Sequence, residues 1–99
     1  MSGDSERLSF LGQHLPPGFE MRVVTVAPGC RDVVDDDEWH DALLVVERGE
    51  IDLERDHGPR VRLHGGAVLW LWGLGLRALH NPGPVPTVMV AVQRRRDRP

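Results

Sequence analysis

Residues 50–64 read EIDLERDHGPRVRLH. Apolar and charged residues alternate on either side of a turn. Ile51 and Leu53 fall on one face of the first half, with Glu50, Asp52 and Glu54 on the other. That two-residue period belongs to a strand with one side in a core. Asp56-His57-Gly58-Pro59 is turn chemistry, and beyond it Val61 and Leu63 resume the inward set. The stretch predicts a β-hairpin.

Outward from the hairpin the same punctuation recurs. MRVVTVA (21–27) is β-branched and stops at Pro28-Gly29, and ALLVVE (42–47) ends at Arg48-Gly49. AVLWLW (67–72) follows Gly65-Gly66, LRALHN (76–81) precedes Pro82-Gly83-Pro84, and TVMVAVQ (87–93) comes last. Seven or so short strands with almost no helix signal predict an all-β sandwich or barrel. Leu8, Phe10, Leu11 and Leu15 suggest a short helical turn that Pro16-Pro17-Gly18 ends. The expected organisation is an irregular or helical N-terminal segment over 1–20, a barrel over 21–93 and a disordered basic tail over 94–99. That tail reads as a solvated end, not a nucleic-acid arm.

The 99 residues suit one domain. Hydrophobic residues at 40% and charged residues at 27% exclude wholesale disorder. All twelve basic residues are Arg, yet the formal net charge is −3, so neither nucleic acid nor an anionic membrane is an expected partner. The single cysteine, Cys30, rules out an internal disulfide and fits a reducing compartment. No basic start followed by an apolar run marks a signal peptide. The longest apolar stretch, AVLWLWGLGL, is about half of a membrane span. A cytoplasmic protein is the expectation.

The order of these signals resembles a small single-domain cupin. The family's second motif, G-x5-P-x-G-x2-H-x3-N, lies on Gly66 to Asn81 without a gap. Gly66 matches its first glycine and Asn81 its asparagine, whereas Trp72, Leu74 and Arg77 stand at the proline, second glycine and histidine. The first motif, G-x5-H-x-H-x3,4-E-x6-G, ends at Gly49 in VERGE, with Ala42 at the glutamate position. The longer spacing puts Asp35 and Asp37 at the two histidines and Gly29 at the opening glycine; the shorter one puts Asp36 and Glu38 there. The resemblance implies a jelly-roll barrel of two antiparallel sheets, a pocket between them and frequent homodimerisation.

The family's metal sits on three histidines and one glutamate. Here those positions hold acids, an alanine without a ligand atom, and a guanidinium with no lone pair to give. A divalent metal is therefore disfavoured and no cofactor is expected. If a metal does bind, strand parity before Ala42 names Asp36, Glu38 and His40, provided the strand reaches back that far. DDDEWHD (35–41) holds five carboxylates, and a solvated loop is the favoured reading over a metal cluster.

By the same parity Arg77, Leu79 and Asn81 share a face, so Arg77 is expected to project into the barrel mouth. There it either pairs with an acid or holds a small anion in a bidentate fork, with His40 as a neighbouring acid or base. Trp39 is expected to point away from His40, toward a partner subunit, and Trp70 and Trp72 to serve as core or interface aromatics. His57, His64 and His80 are assigned to the surface or away from the pocket. Neither a nucleophile triad nor a phosphate cradle is present in the pattern. The leading expectation is a binding module for a small polar or anionic ligand, probed at Arg77, His40, Glu38, Asp36 and Asn81, in a homodimer. The alternatives are a metal-dependent isomerase, cyclase or oxygenase, and a purely structural or interaction module.

Overall fold

Alternation in the sequence becomes strands wherever a turn residue frees the chain to reverse. The structure, a computed structural model, describes residues 16–95. Along them run β1 (Phe19–Val26), β2 (Arg31–Val33), α1 (Asp36–Trp39), β3 (Leu43–Arg48), β4 (Glu50–Arg55), β5 (Val61–His64), β6 (Val68–Trp70), β7 (Leu76–His80) and β8 (Thr87–Arg94). The helical expectation over residues 8–15 and most of the basic tail lie outside the described residues.

The strands form two antiparallel sheets, β1-β8-β3-β6 and β2-β7-β4-β5. This is the order of a jelly roll, with chain neighbours shared between the sheets. The hairpin of residues 50–64 forms as the alternation predicts, pairing Ile51 with Leu63 and Asp52 with Arg62. The other expected strands are present, with ends that coincide or shift by at most two residues. β2 was not expected; its three residues are all exposed, so it carries no alternation to read.

The inner faces meet in one core. The first sheet contributes Val26, Leu44, Val46, Met89 and Ala91, and the second Ile51, Leu53, Leu76 and Leu79, joined by Trp39, Ala42 and Leu71. Two glycines fix turns packed against β3, Gly49 at its end and Gly66 in the turn between β5 and β6. Gly49 (φ 88°) turns β3 into β4 and so from one sheet to the other. A Cβ there would lie 2.6 Å from Thr87 Oγ1 and 2.9 Å from Thr87 Cα, so both the left-handed backbone and the close approach require glycine. Gly66 (φ 95°) donates its N–H to the Val46 carbonyl at 2.7 Å.

Outside, the sheets differ in chemistry. Register places Val23, Val90, Val45 and Val68 in one row across the first sheet, and Met21, Val92, Leu43 and Trp70 in the next. The matching row across the second sheet is Arg31, His80, Asp52 and Arg62. Among the described residues no helix is long and apolar enough to cross a membrane.

Candidate functional site

β7 was expected to carry Arg77 into the barrel. Instead its side chain is 65% exposed, with Nη1 3.8 Å from Asp56 Oδ1. The cause is an irregularity in the β4–β7 pairing: Glu54 pairs with Ala78 but Arg55 with Leu76, which leaves Arg77 as the extra residue. Such a bulge interrupts strict alternation. Leu76 and Leu79, an odd number of residues apart, therefore both reach the core, and Arg77 turns out to solvent. Its sequence-based place in the barrel mouth is corrected accordingly.

The acidic stretch folds as a helical turn. Asp35 caps it, its Oδ1 accepting the N–H of Asp37 at 3.0 Å and its carbonyl that of Glu38 at 3.0 Å. A short side-chain acceptor just before a helical turn satisfies N–H groups that have no partner within it. Asp36, Glu38 and His40 consequently do not share a strand face, since β3 begins only at Leu43. Glu38 is exposed, and Asp36 lies in the first residue of the turn. His40 is half-buried, its Nδ1 3.3 Å from the Asp37 carbonyl and its ring 6.1 Å from that of Trp72. Trp39 is corrected as well: it is 5% exposed and packs into the core, not toward a partner.

The family's metal does not fit these residues. Ala42, at the glutamate position, is fully buried among core side chains, and the histidine position is an outward guanidinium. Among the described residues no three His, Cys, Asp or Glu side chains gather as a ligand set.

Asn81 is in the fold but spent on the backbone. It is fully buried, its Nδ2 donating to the carbonyls of Val26 at 3.0 Å and Val85 at 2.8 Å, while Oδ1 accepts the Gly83 N–H at 2.9 Å. It ties the end of β1 to the loop between β7 and β8 and has no donor left for a ligand.

A different arginine faces inward. Arg22 on β1 pairs across with Ala91, a core residue, so its side chain lies on the inner face. The guanidinium carbon sits 4.7 Å over the ring of buried Trp39, where the cation meets the negative face of the indole. Nη2 donates to Gln93 Oε1 at 3.5 Å, and Gln93 Nε2 donates to the Glu38 carbonyl at 3.0 Å. These contacts bind β1, β8 and α1 at one end of the barrel. The sequence signal was the parity of Arg22 with Val24 and Val26, an inward cation in an otherwise apolar set.

On the outer face of the second sheet, charges answer one another. Arg62 Nε and Nη2 donate to Asp52 Oδ1 at 2.7 Å and Oδ2 at 2.9 Å. This fork holds the Asp52 carboxyl below the usual range, against the opposing push of burial, and raises Arg62. Arg31 does the same to Glu54, through Nε at 2.9 Å and Nη2 at 2.9 Å. His80 stands beside Asp52, Nδ1 3.8 Å from Oδ2. Cys30 is an exposed free thiol, and Trp70 and Trp72 are exposed at 63% and 64%.

No protein-family model matches the chain, and no curated protein does. Solved structures do. A cupin 2 conserved barrel domain protein from Salinispora arenicola CNS-205 superposes with a TM-score of 0.66 at 26% identity, over 79% of this chain. The chain spans 64% of that protein's length. The cupin 2 domain of an XRE-family transcriptional regulator from Enterobacter cloacae gives 0.64 at 19% identity, covering 81% of this chain and 84% of that one. A protein with a double-stranded β-helix domain from Klebsiella pneumoniae subsp. pneumoniae MGH 78578 gives 0.62 at 16%, covering 93% and 87%. With the jelly-roll strand order and Gly49, Gly66 and Asn81 in structural roles at motif positions, the chain is a small cupin-type domain.

Proposed function

We propose that this cupin-type domain binds a small polar or anionic molecule at the barrel end closed by α1, with Arg22 as the anchor. The observation that carries the reading is the inward guanidinium of Arg22, stacked on Trp39 and, among the described residues, donating to one side-chain acceptor at 3.5 Å. A guanidinium offers five N–H donors in a planar fork that matches a carboxylate or phosphate. Partly shielded from water, such a contact is stronger than the same pair on the surface. His40, half-buried just after α1, supplies an imidazole that can donate or accept a hydrogen bond. Glu38 meets the same end through its carbonyl on Gln93. The ligand is bound by side chains and not through a metal, since the donor set does not suit one.

A thermal-shift and calorimetric screen against small carboxylates and phosphates tests this. A ligand that binds only the folded chain raises the melting midpoint. Arg22→Gln is expected to weaken binding about 10- to 100-fold, the loss of a charge-assisted hydrogen bond. Arg77→Ala, on the outside, is expected to leave affinity unchanged. Unaltered affinity in Arg22→Gln, or a loss in Arg77→Ala, would sink the proposal.

A further inference from the structure

We infer that residues 1–15 of this chain lie across the middle of the outer face of the sheet β1-β8-β3-β6 and close it from water. Register puts Val45 and Val90 side by side on that face, between Val23 on β1 and Val68 on β6. Both central valines are 0% exposed, whereas Val23 is 56% and Val68 41% exposed. Neither central valine belongs to the core between the sheets, which takes their strand neighbours Leu44, Val46, Met89 and Ala91. Neighbours in the plane of a sheet shield the flanks of an outward side chain but leave its methyl tips open. Complete burial of both valines therefore requires a further layer over the middle of the face.

The two inner strands carry the matching sequence. Leu43–Val46 on β3 and Val88–Val92 on β8 are unbroken apolar runs, whereas a strand with one wet face alternates. In the other sheet β4 and β5 do alternate, and Asp52 and Arg62 pair on their outer side.

The layer comes from outside residues 16–95. Among the described residues the eight strands lie within the two sheets and α1 packs beside β7. The connecting turns bond at strand ends, Gly29 to Asn81 and Asp56 to Gly75 among them. Residues 96–99 read RDRP, too charged and too short to seal an apolar row. Residues 1–15 hold Leu8, Phe10, Leu11 and Leu15, and Leu8, Leu11 and Leu15 recur at the three- and four-residue intervals of one apolar helical face. Their end is well placed. The Pro16 carbonyl accepts the Phe19 N–H at 3.3 Å, and Phe19 is four residues from Val23, which pairs with Val90. That leaves about 13 Å along the strand and about 10 Å across it to Val45, a span of about five or six extended residues. Width agrees as well. One segment about 10 Å wide covers the two inner strands of a sheet whose outer strands are about 14 Å apart, leaving Val23 and Val68 open at the margins.

Thiol accessibility in the full chain is the test, with Cys30→Ser as background and one cysteine introduced at a time. Val45→Cys reads the covered face, Val46→Cys the core side of the same strand and Val23→Cys the open margin. Toward an aromatic disulfide reagent, the thiol at position 23 is expected to react at least about 100-fold faster than those at 45 and 46. Adding Leu8→Asp and Leu11→Asp should speed the reaction at 45 at least about 10-fold and leave 23 and 46 unchanged, because buried carboxylates lift the segment without opening the barrel. If that pair unfolds the barrel, seen as faster reaction at 46, Leu11→Ser takes its place with the same expectation. Equal reactivity at 23 and 45 overturns the inference, since the face would then be open to some other partner. Protection at 45 that survives these variants overturns it, and so does protection lost at 45 and 46 together in Leu11→Ser. Protection at 45 that grows with protein concentration gives the face to a second copy and overturns it likewise.

Discussion

Asn81 shows what a single buried amide does here. Three backbone groups, the Val26 and Val85 carbonyls and the Gly83 N–H, depend on it, the first in a buried bond and the other two in partly buried ones. Asn81→Ala strands all three, and each unsatisfied group costs about 1 kcal/mol or more. The variant is expected to lose about 2 kcal/mol in urea unfolding, most of it from the buried Val26 carbonyl, with the same slope against denaturant. At this scale legibility in the sequence was uneven. Gly49, Gly66 and Asn81 were found by spacing, and the structure gives each a physical reason: two left-handed turns and one triple hydrogen-bonding knot. Arg77 was misplaced because one extra residue on β7 reverses parity, and a bulge leaves no mark in the pattern of apolar residues. Arg22 was legible from its place two residues before Val24, yet an arginine in a strand is read by default as exposed.

At the scale of elements, the β4–β5 hairpin was readable in full, because alternation, turn residues and cross-strand charge agree. Its outer pair, Asp52–Arg62, makes stability depend on pH. The fork keeps the Asp52 pKa in the folded chain below its unfolded value of about 3.9. The stabilisation is thus complete above that value and disappears as pH falls through the lower, folded one. Asp52→Asn is expected to cost about 1 kcal/mol near neutrality, the gain being limited because Arg62 is 54% exposed. The gap between wild type and variant should close as pH drops below about 4, measured by urea unfolding at a series of pH values. A gap that widened in acid would contradict the assignment. The α1 turn was the hardest element to read. Its four residues DDEW hold no periodicity, and only Asp35 as cap distinguishes it from loop.

For the molecule as a whole, two sheets share one core, so neither can melt alone. Leu44 lies on the first sheet and Leu53 on the second, both fully buried in that core. Leu44→Ala and Leu53→Ala should each remove about 2–5 kcal/mol, and in each variant far-ultraviolet dichroism and tryptophan fluorescence should trace one coincident transition. Separate midpoints for the two signals would mean the sheets unfold independently. The all-β class and the barrel were legible at this scale, because they rest on many weak signals that err independently. The candidate site rests on one inward cation and could not draw on such averaging.

The two flanks of the barrel differ in chemistry, and the difference has a consequence at surfaces. With valines and a tryptophan across one side and arginines, carboxylates and a histidine across the other, the particle has two chemically distinct sides. At a boundary between water and an oily phase, a phenyl resin or an air bubble, the exposed Val23, Val68 and Trp70 make this the side expected to meet the oil, with the ionic side toward the liquid. Whatever hangs from the β2–β7–β4–β5 side, a label on Cys30 included, is then carried facing outward.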